Sequence, residues 1–286
     1  MISQNSSNAA LPFTLIDLTH TLFPEIPSWN GTCGFHSEIK LDYEDCSTDV
    51  KFRVQQLKLH AGVGTHMDAP AHCIKGGLTI DEIPLMELAA PSIVIDVSTK
   101  AHETYQVTPS DILSFENKFG VLPPHAFVMI YTGWDRFWQD PEKYRNNLVF
   151  PSVSGETAQL LLERNIRGLG IDTLSPDCPQ NGFPVHQLLL GNGKYIVENI
   201  QNAQKMPPQG GYSLALPIKT QGGTEAPMRL VGLLFKKEIT DAIEKMNTSM
   251  YEKERESNLT KASQLVRKSS MIINSEFSEI EEDPKS

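Results

Sequence analysis

Three of the chain's eight histidines and one aspartate fall within the fourteen residues Leu59–His72. His66 and Asp68 are two residues apart, so in an extended backbone both side chains project from one face. An imidazole beside a carboxylate on such a face can hold a metal ion or exchange protons. Pro70 ends regular strand pairing and stiffens the approach to His72. Lys75-Gly76-Gly77 then reads as a turn. A second pair lies farther along. Between His186 and Glu198 sits Gly191-Asn192-Gly193, a reversal signal that lets the chain carry Glu198 back toward His186. Alone, a histidine among leucines reads as a core residue and Glu198 as a surface acid. Combined with the first set, His66, Asp68, His186 and Glu198 supply two nitrogen and two carboxylate donors. That set suits Zn²⁺ or Mn²⁺ and leaves His72 as a proton shuttle.

Other chemistries find less support. There is no G-x-S-x-G elbow, H-E-x-x-H pair or G-x-x-x-x-G-K-[ST] loop. Gly168-Leu169-Gly170 lacks the third glycine of a dinucleotide fingerprint. The four cysteines, Cys33, Cys46, Cys73 and Cys178, form no C-x-x-C pair and read as reduced thiols. Cys73 follows His72 and is expected to be a small buried hydrophobe rather than a nucleophile.

Elements must position these groups. Strands are expected at Phe13–Leu18, Lys51–Leu59, Ser92–Val97, Ala126–Tyr131, Gly168–Asp172, Tyr212–Pro217 and Met228–Phe235, from their β-branched, aromatic or alternating apolar residues. Thr108, Pro109 and Asp111 spell a helix start, and Gly120 a stop. Ser154 is expected to cap a second helix running to Asn165. Helices interleaved with strands imply an α/β domain.

The chain has 286 residues and a net charge of −10, with no basic stripe. Both argue against nucleic acid as a partner. Residues 1–12 read as a flexible N-terminus without the pattern of a secretory signal, and no apolar run approaches the ~18 residues that span a bilayer. A cytoplasmic location is expected. Residues 238–257 read as an amphipathic helix with Ile239, Ile243, Met246 and Met250 on one face. Residues 258–286 read as a largely disordered tail with an acidic end. That tail is taken as a solvated segment, with an export signal as the weaker alternative.

Several ordered segments together resemble the cyclase family of metal-dependent amide hydrolases, which includes bacterial kynurenine formamidase and isatin hydrolase. Gly64-Thr65-His66-Met67-Asp68-Ala69-Pro70-Ala71-His72 matches the family motif H-x-G-T-H-x-D-x-P-x-H except for its first histidine. Similar segments are Asp17–His20, Thr79–Leu85, Thr132–Trp138, Gly170–Asp177, His186–Glu198 and Ala226–Arg229, covering roughly residues 13–235. The resemblance implies a single-domain swivelling β/β/α fold over residues 13–237 and assembly as a homodimer or homotetramer. It implies hydrolysis of a C–N amide bond in a small molecule, such as an aryl formamide or a cyclic amide, with one or two Zn or Mn ions. By position, it implies metal ligation by His66, Asp68, His186 and Glu198. His72 would be the general acid/base acting with a metal-activated water, and Thr65 would stabilise the oxyanion. Trp134, Phe137 and Trp138 would either line an aromatic pocket for an aryl amide or pack in the core.

One departure stands out. The family's first histidine falls on Gly62, which offers no ligand. Three readings follow: His60 substitutes through a bulge or shifted register, Val63-Gly64 is an insertion, or the ligand is missing. The last opens a rival reading, a non-catalytic binding protein on the same fold.

Overall fold

The apolar runs do form strands, and most join one sheet. The computed structural model describes residues 11–237 together with Asp241, Thr260 and Lys261. Its elements, in chain order, are β1 (Phe13–Asp17), β2 (Phe35–Leu41), β3 (Val54–Leu59), β4 (His66–Asp68), β5 (Ala89–Asp96), β6 (Gln106–Val107), α1 (Pro109–Phe119), β7 (Phe127–Tyr131), α2 (Pro141–Arg145), β8 (Ser152–Val153), α3 (Gly155–Glu163), β9 (Gly168–Ile171), α4 (Pro184–Gly191), β10 (Tyr195–Glu198), β11 (Gly211–Pro217) and β12 (Glu225–Phe235). The main sheet runs β1-β12-β11-β5-β7-β9-β10-β4, and β4 also pairs with β12. That last pairing closes the sheet on itself into a barrel, which leaves β4 without an open edge. β5, β7, β9 and β10 are parallel, with helices in their crossovers; β4, β11 and β12 pair antiparallel. This is the expected α/β class.

Alternation along the strands splits the core in two. Phe127 and Met129 of β7 point into the barrel with Met67, Val197, Ala226, Met228 and Leu230. Val128 and Ile130 point the other way, against Ile112, Phe115, Leu161, Val185 and Leu189 of α1, α3 and α4. Helix α1 begins as the sequence indicates. Thr108 and Asp111 form a capping box, Pro109 occupies the first turn, and Gly120 ends it at φ 93°. Ser154 accepts a bond from Thr157 N–H at the start of α3.

Strand β3 departs from expectation. It does not continue into the His66 segment but pairs with β2 as a separate, mostly exposed ribbon. A turn at Ala61-Gly62 separates it from β4.

Residues Phe13–Leu234 form one compact unit. In the second unit, residues 1–12 and 235–286, Lys236 N–H donates to the Pro12 carbonyl at 2.9 Å. The helix expected over 238–257 and the tail over 258–286 lie outside the described residues, save Asp241, Thr260 and Lys261. These three are helical, the last two within the stretch read as tail. No helix among the described residues is long and apolar enough to cross a membrane.

Candidate metal centre

Strand parity does the first part of the assembly. Met67 is buried inside the barrel, so His66 and Asp68 must project from its outer face. Val197 is likewise inside, which sends Glu198 outward. The β10–β4 register sets Glu198 directly opposite His66. On the other side of β4, the β12 register sets Glu225 opposite Asp68.

His186 arrives from a helix rather than a loop. Phe183 takes a left-handed conformation at φ 58°, and Pro184 starts α4. The buried Asp177 carboxylate accepts bonds from the backbone N–H groups of Val185 and His186, at 3.1 and 3.0 Å. It thus satisfies free donors of the helix start. The same carboxylate receives His186 Nδ1 at 2.8 Å. His66 Nδ1 lies 2.9 Å from the Gly64 carbonyl. Each imidazole therefore spends Nδ1–H on a fixed acceptor and turns Nε2 toward the cluster, the orienting device of histidine metal ligands.

The four groups meet as a square. His66 Nε2 lies 3.5 Å from Asp68 Oδ1 and 3.3 Å from Glu198 Oε2. His186 Nε2 lies 3.6 Å from Asp68 Oδ2 and 3.5 Å from Glu198 Oε1. Each carboxylate thus offers one oxygen to each imidazole. These gaps are long for hydrogen bonds. They match the spacing of donors sharing a tetrahedral ion at ~2.1 Å, about 3.4 Å. Both oxygens of Asp68 are buried without a hydrogen-bond partner, which is costly unless a cation satisfies them. Two overlapping donor groups result: His66 with Asp68 and Glu198, and Asp68 with His72 and His186. The residues present fit one or two divalent ions.

The electrostatics point the same way. Burial and the neighbouring Asp68 push the Glu198 carboxyl up. Burial also pushes the Asp68 carboxyl upward, but the facing imidazoles of His186 and His66 outweigh it and hold Asp68 below the usual range. Burial disfavours a charged His66, yet Glu198 and Asp68 raise it to about 10. Against its own burial, His186 is raised by Asp177 and Asp68. Two carboxylates out of water demand positive charge, as protons on the imidazoles or as a cation that displaces them.

The cluster lies at one wall of a cavity of about 500 Å³, lined also by Trp29, Gly62, Cys73, Phe183 and Glu225. His72, on the turn after β4, reaches it from a partly exposed position. Its Nδ1 is 3.2 Å from Glu225 Oε2, a contact that raises the imidazole's pKa against partial burial.

Several sequence-level assignments change. His60 is exposed beside Gly34, donates its N–H to the Gly34 carbonyl and lies outside the cavity lining. The turn at Ala61-Gly62 breaks the strand, so the parity argument for His60 as a substitute ligand fails. The Thr65 hydroxyl donates to the Asn199 carbonyl at 2.6 Å and accepts the His20 N–H at 3.0 Å. With its only proton committed, it is a buried clamp between the chain entering β4 and the chain leaving β10, and not an oxyanion donor. Trp134, Phe137 and Trp138 do not line the cavity. They pack with Tyr144 and Phe150 in a third core cluster, where Trp134 Nε1 donates to the Tyr144 carbonyl at 2.8 Å. The aromatic wall comes instead from Trp29 and Phe183, 6.0 Å apart by ring centroid. Cys73 is exposed rather than buried, because the turn that displays His72 carries it to the cavity mouth. Sequence reasoning missed Asp177, Trp29, Phe183 and Glu225. Only Asp177 had a local signal, an acid nine residues before a histidine that opens a helix.

Comparison with known proteins bears on the family and the fold. The family model described as "Putative cyclase" matches residues 16–178, more than half of the chain. Isatin hydrolase of Roseibium aggregatum is 30% identical over 189 residues, 60% of this chain and 72% of the relative. Kynurenine formamidase of Salinibacter ruber is 28% identical over 231 residues, 76% of this chain and 96% of the relative. Among solved structures, isatin hydrolase A from Labrenzia aggregata superposes with a TM-score of 0.70 at 29% identity, covering 79% of this chain and 95% of the other. An isatin hydrolase bound to the product analogue thioisatinate superposes with a TM-score of 0.71 at 27% identity, covering 79% and 94%. The swivelling β/β/α fold is shared, and the chain belongs to the cyclase family of hydrolases.

Proposed function

We propose that this protein is a metal-dependent amidohydrolase that cleaves a C–N amide bond of an aryl formamide or a cyclic aryl amide. The observation that carries the reading is the square of His66, Asp68, His186 and Glu198, with both Asp68 oxygens buried and unpartnered at the wall of a cavity. A divalent cation held there supplies an acidified water and positive charge for a developing oxyanion. The protein's own groups do the rest. Asp177 and the Gly64 carbonyl hold the two imidazoles in one tautomer, so the donor set is preorganised. His72 stands beside the cluster with Nδ1 on Glu225. It accepts the proton that water loses and delivers it to the leaving nitrogen. Trp29 and Phe183 offer flat apolar faces to an aryl ring. Water adds across the amide to give a carboxylate and an amine.

The test is direct. The full chain is stripped with chelator, reloaded with Mn²⁺ or Zn²⁺ alone, and assayed on N-formylkynurenine and isatin. Turnover that appears only with metal supports the reading. Metal bound at the expected stoichiometry with no hydrolysis of either compound or of a wider panel of aryl amides would favour the non-catalytic binder.

A further inference from the structure

Gly62 lines the cavity, and its backbone is not in the left-handed region. Conformation therefore does not require glycine here; what a side chain would meet is the end of the Glu225 side chain. A Cβ at residue 62 would come within 3.3 Å of His66 Nε2 and would overlap Glu225 Oε1. The room next to the His66 donor atom, which a side chain at 62 would enter, is taken by a carboxylate oxygen from a strand far away in sequence. Register explains the arrival. Glu225 is the first residue of β12 and pairs with Asp68, while Ala226 and Met228 face the barrel core. The other oxygen, Oε2, contacts His72 Nδ1 at 3.2 Å. Glu225 thus reaches from its contact with His72 toward the space above Gly62, at the side of β4 opposite Glu198.

We propose that Glu225 is a further cation ligand of this site: Oε1 occupies the coordination place beside His66 that residue 62 leaves vacant, while Oε2 accepts Nδ1–H of His72. The inference rests on the divalent-cation reading above. It makes residues 62 and 225 an interdependent pair, in which a side chain at 62 and the observed placement of the Glu225 carboxylate exclude one another. It also changes the character of the site next to His66. One imidazole now meets three carboxylates, from Asp68, Glu198 and Glu225. Such an oxygen-rich set favours Mn²⁺ relative to a set with a second imidazole, which favours Zn²⁺.

The experiment titrates chelator-stripped full-length protein with Mn²⁺ alone and Zn²⁺ alone by calorimetry, with metal content counted independently. The variants are Glu225→Gln, Glu225→Ala, Gly62→His and Gly62→His with Glu225→Ala, each checked for fold by circular dichroism. Glu225→Gln keeps the side-chain shape and removes the charge, and is expected to weaken Mn²⁺ binding about 10- to 100-fold. Glu225→Ala loses at least as much. The double variant is expected to regain binding within about 3-fold of the parent, with its preference moved toward Zn²⁺. Gly62→His alone is expected to lose binding or fold, because the new side chain meets Glu225. Unchanged Mn²⁺ affinity and stoichiometry in Glu225→Gln overturns the proposal, even if His72 loses its partner and turnover falls. A double variant that folds but binds no better than Glu225→Ala overturns it as well. Failure of the underlying reading looks different: the parent chain itself would bind neither ion, or His66→Ala and Asp68→Ala would bind as the parent does.

Discussion

Each residue of the square has a distinct chemical task, and substitutions should separate them. His66→Ala and Asp68→Ala each remove a buried donor, and we expect both to abolish tight cation binding together with turnover. Metal counting after gel filtration checks this, and full occupancy in Asp68→Ala would defeat the ligand assignment. His72→Ala leaves the four-donor square intact. It should therefore keep its metal while kcat falls by about 10²- to 10⁴-fold, the usual worth of a general acid/base. Asp177 acts through another residue. Asp177→Ala frees the His186 ring and leaves two helix N–H groups without their acceptor. The expected result is a roughly 10- to 100-fold weaker cation affinity. At this scale the sequence was informative about His66 and Asp68, because a two-residue spacing on an extended chain has only one geometric outcome. It was silent on Glu225, since nothing near residue 225 says which strand will lie beside it. It left the tryptophans near 134 open between two roles, because an aromatic run reads alike as pocket wall and as core.

The elements hold the square through short, buried clamps. β4 is only three residues long, yet it is paired on both sides, and Thr65 ties its entry to Asn199 beyond β10. Thr65→Val keeps the shape but leaves the Asn199 carbonyl and the His20 N–H unpaired in a buried place. A loss of about 2–3 kcal/mol in folding stability is expected from those two groups, measured by urea denaturation. An unchanged stability with a sharp fall in turnover would instead restore the oxyanion role to Thr65. Two family-like segments that carry no chemistry also tie strands together, one at the surface and one in the interior. Asp17 forms a bidentate pair with Arg229, at 2.9 and 2.6 Å, joining the first strand to the last. Asp172 accepts bonds from Thr132 N–H, the Thr132 hydroxyl and Trp134 N–H, binding β9 to the turn after β7. Element types and the cap at Thr108 were readable locally, since caps and apolar periods involve neighbours in the chain. The separation of β3 from β4 was not, because the two glycines at 62 and 64 are compatible with a bulge, a turn or an insertion.

For the molecule as a whole, folding pays attention to acid through His20. Its ring stacks on Trp138 at 3.9 Å between centroids, and its Nε2 is buried without a partner. Burial lowers its pKa from 6.5 to about 3. The unfolded chain therefore takes up a proton near pH 6.5 that the folded chain refuses until about pH 3. This contribution is fully present above pH 6.5 and is lost as pH falls toward 3, up to about 5 kcal/mol for a shift of that size. His20→Phe keeps the stacking area and cannot titrate. Its urea midpoint should fall less steeply than the parent's between pH 6.5 and 4, and parallel pH profiles for the two proteins would sink the assignment.

What the sequence determined by itself is the set of local facts: a metal-prone pair on one strand face, a reversal between His186 and Glu198, the helix starts, and an α/β class. These follow from bond geometry and from side-chain preferences that act over a few residues. Only the tertiary structure decided which strands flank β4, and with them that Glu198 faces His66 while Glu225 fills the space above Gly62. Strand order and register are chosen by burial of the whole barrel face, where Met67, Val197 and Ala226 must point inward together. The outward residues that make the site are placed as a consequence of that choice.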